Sequence, residues 1–363
     1  MEQAEPFARS WRPSVLAALM AVAAGWSATA LGVLTAWLWP TAGTAVAPLA
    51  WPWGWDGGWY LGLAQEGWDA PTDGQVPQGT AFLPLWPLLL RAAMHAGVPP
   101  DAAGFMLPVA CQWVWLVLLH RWVSRSHGVR AGLLAVLAVA MWPHGITGRI
   151  AYTEPLFLAC GTVALYTLAS ASRPSPTTLL ALALSGGLRV SGLALGGMAF
   201  GVRGWFRWAV LMAPALGLAC VMTWQYLEFG DALAFLHAQR HWHDGRPPGG
   251  WGWAGPLSLG CLGPMGHQGL LKAVMAYGTL AVVLRHLQAQ PGAAAAAGSH
   301  LLLVLATGWT ESGDRYLYGS PALWWLVAPG LAGRPRTCAV LVALSFMATL
   351  AWSRNWTLGQ WVF

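Results

Sequence analysis

The stretch WGWDGGWYLGLAQEGW, Trp53 to Trp68, sets one carboxylate, Asp56, among tryptophans and glycines just after a long apolar run. A carboxylate so placed can take a proton from a hydroxyl at a membrane surface, as a general base does. It can equally cap the short helix expected of GGWYLGLAQEGW, accepting from the amides of the first turn. On that helix Trp59, Leu63 and Glu66 share a face, and Gly67 ends it. Glu66 lies about 15 Å from Asp56 along a helix. The two acids therefore do not make a glycosidase-like carboxylate pair.

Cations inside apolar segments are costly and call for a reason. Arg189 follows Gly186 and Gly187 within TLLALALSGGLRVSGLALGGMAF. It can hold an anionic group such as a phosphate, or pair with an acid. Arg315, in GDRYLYGSP, is a second phosphate candidate; its alternative is a solvated loop contact with Glu311 or Asp314. Arg149, near His144, is a third, with a structural role preferred. Glu154 precedes Pro155 at the start of an apolar run. It is either a first-turn acid favoured by the helix dipole, a hydrogen-bonding group for sugar or acceptor hydroxyls, or a partner to Arg189.

FGDALAFLHAQRHW, Phe229 to Trp242, offers Asp231 as a helix cap or a ligand contact. Gln239 and Trp242 are three apart and share a helical face, which suits hydrogen bonding to and stacking on a sugar. His237 and His241 are four apart, with His243 and Asp244 following, a spacing open to a divalent metal. Nothing like HExxH accompanies them. The expected cofactor set is none, with His237 and His241 as the alternative metal pair.

These residues must be positioned by elements that composition already constrains. Of 363 residues, 56% are hydrophobic and only 9% charged, too few to clothe a soluble surface. The 26 Trp residues favour the headgroup zone of a bilayer. The net charge of +6 is scattered between apolar runs without a basic stripe, so orientation in a membrane explains it better than nucleic acid. The five cysteines lie far apart with no CxxC, which points neither to zinc nor to a disulfide framework. No GxGxxG after a strand, no P-loop and no DxD marks a nucleotide site.

Runs long enough to cross a membrane are 15–39, 102–123, 129–147, 152–171, 209–227 and 269–288, with shorter ones at 296–310, 317–332 and 337–352. The first is too long for the core of a signal peptide and is expected to remain as a span. Residues 81–97 are broken by Pro84 and Pro87 and are expected to be interfacial or re-entrant. Residues 178–202 are expected to enter and return, with an elbow at the Gly-Gly-x-Arg. Residues 291–298, PGAAAAAG, look like a linker. Arginine placement then puts two long loops, 40–101 and 228–268, on the external side. They carry Asp56, Glu66, Asp69, Asp73, Asp101, Glu228, Asp231 and Asp244, eight of the 13 acids. The chain is expected to be one integral membrane domain over 1–363. Its excess of Arg over Lys and its Ala, Gly and Pro content suggest a bacterial plasma membrane.

Four segments in order resemble one family. WDGGWYLGLAQEGW followed by TAFLPLWPLLLR resembles the first luminal loop of the PIG-V family, the GPI mannosyltransferase 2 enzymes and their bacterial relatives. AYTEPLFLA, FGDALAFLHAQRHW and ESGDRYLYGSPALWW resemble three later segments of it. Ala232 departs from the family's usual Pro, while Asp231 keeps its place. The resemblance implies a GT-C glycosyltransferase; with the apolar runs, the expected fold is an all-α polytopic protein of about nine spans plus a hairpin, with interfacial helices in the first external loop. It implies a polyprenyl-phosphate sugar donor, with mannose the sugar expected from family likeness, a hydroxyl acceptor, inversion at the anomeric carbon, and Asp56 as the base. The competing reading is a transporter or lipid-linked sugar flippase, for which a Gly-broken hairpin with an internal Arg is also suited.

Overall fold

A computed structural model describes residues 11–39, 53–70, 76–171, 173–239, 266–306 and 312–359. The described residues are helical, without a strand. In chain order the helices are α1 (Arg12–Leu38), α2 (Asp56–Gln65), α3 (Leu85–His95), α4 (Pro100–His127), α5 (Val129–Ala140), α6 (Glu154–Ser170), α7 (Pro176–Leu188), α8 (Phe206–Phe229), α9 (Ala234–His237), α10 (Gly266–His286), α11 (Pro291–Ala306), α12 (Gly313–Tyr318), α13 (Pro321–Ala332) and α14 (Pro335–Thr357). Shorter 3-10 segments cover Gln78–Ala81, Pro143–Arg149 and Val190–Gly201. Many starts are written locally. Proline stands in the first turn of α1, α4, α6, α7, α13 and α14, where its missing N–H is no loss.

Four helices, α1, α4, α8 and α14, are long and apolar enough to cross a membrane. Their outward residues include Leu16, Leu34, Leu216, Leu227, Leu344 and Met347, all exposed. Such apolar faces mark an integral membrane protein. The expected nine spans are not found among the described residues. Several apolar runs are short helices instead: α6, α7, α11 and α13 each have fewer than 18 residues. Run 129–147 is no straight span either. It stops at Ala140 and bends by 85° into the Pro143–Arg149 segment, and counts as a fifth span only if the bent pair is one crossing. Pro143 is the reason, since Trp142 before it is forced into extended backbone (ψ 142°).

Residues 178–202 do double back. α7 rises to Arg189, which is extended, and the Val190–Gly201 segment returns. The two feet meet where the Arg173 guanidinium lies 5.2 Å from the Phe206 ring. Close contact with α8 depends on glycine. A Cβ on Gly186 would sit 1.9 Å from the Pro214 carbonyl oxygen, and one on Gly217 would sit 1.8 Å from that of Ala183. Residues 291–298, expected as a linker, form the first half of α11. Alanine is the strongest helix former, and these small side chains let the backbone at Ala296 approach Gly197. Segment 81–97 supplies α3, whose Trp86 is buried and donates its indole N–H to the Ala151 carbonyl, 3.0 Å away.

Candidate active site

The site begins at the mouth of the first long loop. Trp55 precedes α2 with φ 53° and ψ −120°, a conformation costly for a residue with a Cβ. Trp53 is buried and donates its indole N–H to Asp101 of α4 at 2.9 Å, which fixes the approach. Arg91 of α3 donates to the Ala64 and Leu63 carbonyls at 2.7 and 3.0 Å, satisfying the free end of α2. Gly67 follows in the left-handed region (φ 95°), so it ends the helix as expected. Asp56 does not cap α2. The helix has no side-chain cap, and the Asp56 carboxylate turns away to meet Arg315 at 2.9 Å.

Arg315 comes from α12, 259 residues away in the chain. Its Nε lies 3.4 Å from Glu154 Oε1, and Arg189 Nη1 lies 2.7 Å from that same oxygen. Arg189 also donates to the Thr153 hydroxyl at 3.1 Å. Both guanidiniums sit over the Tyr316 ring, at 4.9 and 5.1 Å, and Arg315 also over Tyr152 at 5.0 Å. Cation–π contact holds the two planes beside each other. Four sequence-predicted residues, Asp56, Glu154, Arg189 and Arg315, thus form one chain of ion pairs. Their two positive and two negative charges balance. Glu154 and Arg315 are buried (2% and 5% side-chain exposure), while Asp56 is 27% exposed and forms the open edge.

The backbone is strained at both ends of the Asp56–Arg315 pair. Among the described residues only Trp55 and Ser312 are non-glycine with positive φ, at 53° and 52°. One directly precedes Asp56; the other opens α12. Such strain persists only where the surroundings over-determine the conformation, and it concentrates at functional sites.

Charge and burial act on the neighbouring groups. Burial would lower the basicity of Arg315, but the Asp56 and Glu154 carboxylates outweigh it and hold the guanidinium well above its usual range. Burial, and then the Asp56 and Glu154 charges, push the Tyr60 phenol up, so it stays a neutral donor. Tyr60 stands four residues after Asp56 on the same face of α2. Asp314 accepts the Arg315 backbone N–H at 3.0 Å, and His144 Nε2 lies 3.0 Å from its other oxygen. Burial would raise the Asp314 carboxyl; His144 foremost, with Lys272, holds it below the usual carboxylate range.

The remaining candidates fall outside this cluster. Glu66 is the exposed residue that closes α2. Trp59 stacks on Phe82, centroids 5.6 Å apart. Asp231 accepts from the Leu233 N–H at 2.9 Å and pairs with His237, so it acts as a local turn cap. Among the described residues the helix after it is the one turn of α9, whose first-turn Phe235 N–H is taken by the buried Gln225 side chain of α8. Gln239 donates to the Phe235 carbonyl within its own turn. Trp242, His241, His243, Asp244 and Glu311 lie outside the described residues. Among the described residues no group of three metal-ligating side chains occurs. Arg149 is buried beneath the bend and donates to the Ala140 carbonyl at 3.1 Å and the Thr29 hydroxyl at 3.3 Å, the structural role preferred for it.

Sequence reasoning gave no role to Tyr60, Tyr152, Thr153 or Tyr316. Thr153 and Tyr316 adjoin a named candidate in sequence, Tyr152 lies two residues before Glu154, and Tyr60 lies one helical turn after Asp56. What the cluster can do chemically is accept a proton at Asp56 and bind an anion at two guanidiniums, where the burial of Arg315 and Glu154 strengthens such contacts. Compared with known proteins, the chain matches no family model, no curated protein and no solved structure.

Proposed function

We propose that the chain is a membrane glycosyltransferase of GT-C type that moves a sugar, mannose by family resemblance, from a polyprenyl-phosphate donor to an acceptor hydroxyl. One observation carries the reading: a partly exposed carboxylate, Asp56, is bonded to a buried arginine, Arg315, which adjoins a second, partly buried one, Arg189. A base and an anion-binding pair are what this transfer requires. The prenyl chain stays in the bilayer while the phosphate meets Arg315 and Arg189. Asp56 takes the proton from the acceptor hydroxyl. The acceptor oxygen attacks the anomeric carbon from the face opposite the phosphate, and the carbon–phosphate-oxygen bond breaks with its electron pair going to the phosphate. The anomeric centre is inverted.

Charge supports this assignment of roles. The phosphate gains one negative charge as it leaves. Asp56 loses one as it takes the proton, which releases Arg315 to the leaving group. No second carboxylate is needed to protonate a phosphate, already a good leaving group. The expected setting is a bacterial plasma membrane with the site on the external face, where the first long loop is expected from arginine placement.

The test uses purified protein with labelled polyprenyl-phosphate-mannose. Asp56→Asn should lower transfer by about 10²–10⁴-fold, the usual contribution of a general base. Unchanged transfer removes Asp56 as the base. Movement of the lipid-linked sugar across vesicles that survives Asp56→Asn favours a flippase, which the Arg189 hairpin on its own would also suit.

A further inference from the structure

We infer that Glu154 is a positioning residue that keeps Asp56 basic by occupying the two arginines behind it. The inference rests on the transferase reading and adds a division of labour between its two carboxylates, Glu154 buried and Asp56 at the open edge. Glu154 Oε1 meets Arg189 at 2.7 Å and Arg315 at 3.4 Å, so both cations converge on one oxygen atom. Glu154 is 1% exposed at the first turn of α6, behind Arg315 and away from the open edge. It is therefore badly placed to touch an acceptor hydroxyl. Its neighbour Thr153 takes a further N–H of Arg189. Between them they hold Arg189 on the hairpin apex and away from Asp56.

The consequence follows from charge. Two guanidiniums over one tyrosine ring repel each other, more so where they are buried. Glu154 neutralises one and shares the other, and Asp56 shares Arg315 alone with it. If Glu154 loses its charge, the cluster becomes net positive and Asp56 bears the excess. A carboxylate facing more positive charge holds a proton less readily and is a weaker base. The same excess favours an anionic phosphate. Removing the charge of Glu154 should therefore leave donor binding intact or improve it, and slow the chemical step.

The experiment measures binding of polyprenyl phosphate to the purified full-length protein, together with mannose release from labelled polyprenyl-phosphate-mannose to water or octyl mannoside. Glu154→Gln is expected to bind polyprenyl phosphate at least as tightly as wild type, with donor KM unchanged or lower and kcat reduced about tenfold or more. Glu154→Asp keeps the charge and should retain a kcat within about threefold of wild type. A Glu154→Gln kcat within twofold of wild type overturns the inference. So does a raised KM with unchanged kcat, which would make Glu154 a ligand contact. Should Glu154→Gln fail to fold, a kcat loss of about tenfold or more in folded Glu154→Asp overturns it, because that variant keeps the charge. Weakened phosphate binding by Glu154→Gln alone overturns the inference and leaves the transferase reading standing. Absence of both binding and release in wild type removes the two together.

Discussion

Around Asp56 and Arg315, helices meet through charge; around Gly186 and Gly217, they meet through bare backbone. At the first place four ionised side chains, two strained residues and a tyrosine platform fill the space between α2, α6, α12 and the hairpin apex. At the second, α7 and α8 touch so closely that one added carbon on either glycine would overlap a carbonyl oxygen. Both regions are buried, but the physics differs. Buried ion pairs recover about what their desolvation loses, so they are weak contributors to stability. Close packing of small residues is what holds helices together in lipid, where burial of apolar surface gives no advantage. On the proposed reading, chemistry belongs to the first region and cohesion to the second. A charge cluster that adds little stability and yet keeps strained backbone at each end suits the proposed role in binding and catalysis.

The sharpest way to break that comparison is Arg315→Met. It strands Glu154 with only part of its counter-charge and leaves Asp56 unpaired at the edge. Breaking a buried pair from one side costs about 3–5 kcal/mol; the exposure of Asp56 puts this case near the lower end. Both melting temperature in detergent and sugar transfer should fall, and a variant of wild-type stability would show that the cluster is not a coupled unit. Next in size is Gly217→Ala, which should lower stability by about 1–3 kcal/mol through overpacking against α7. Its donor KM should remain that of wild type, because no charge moves. A changed KM with unchanged melting would reverse the roles given to the two regions.

Trp55→Gly tests whether the strain is real. Glycine accepts φ 53° freely, and the relief exceeds its greater loss of chain entropy, for a net gain of about 1 kcal/mol in stability. Transfer should drop at the same time, since Asp56 is then less firmly aimed; a destabilised variant would remove strain from the account. The smallest effect is in pH. The folded Asp314 carboxyl is held below its ordinary range, chiefly by His144 against the effect of burial. Its contribution is therefore complete above the ordinary carboxylate range and is lost as pH falls through the lower, folded value. Melting temperature against pH should lose that acid-side slope in Asp314→Asn, and an identical slope would separate Asp314 from the site.

Much of the site was legible one residue at a time. Asp56 stood out as an acid among tryptophans, Arg189 as a charge in an apolar segment, and Glu154 as its possible partner. Their environments were odd enough to notice because apolar segments reject charge. Asp231 and Gln239 looked alike to Asp56 and Glu154 by the same criteria, yet they serve their own turns. Short polar side chains that can bond local backbone give no sign in sequence of which choice they make. The Ala-rich 291–298 segment was misjudged for a related reason. Its composition fits a linker, and only the groove offered by Gly197 makes it a packed helix.

What the sequence determined by itself was solvent and scale: a helical chain for a bilayer, starts marked by proline, a hairpin turning at Arg189, and the identity of the four ionised residues. These follow from local rules, because lipid requires each segment to satisfy its own backbone. The tertiary structure alone decided that Asp56 pairs with Arg315 across 259 residues and that two arginines share one glutamate oxygen. It also decided that apolar runs of near-spanning length become short, bent or doubled helices. Pairing partners and helix crossings depend on which surfaces can approach, and that geometry is set by the whole packing rather than by any local pattern.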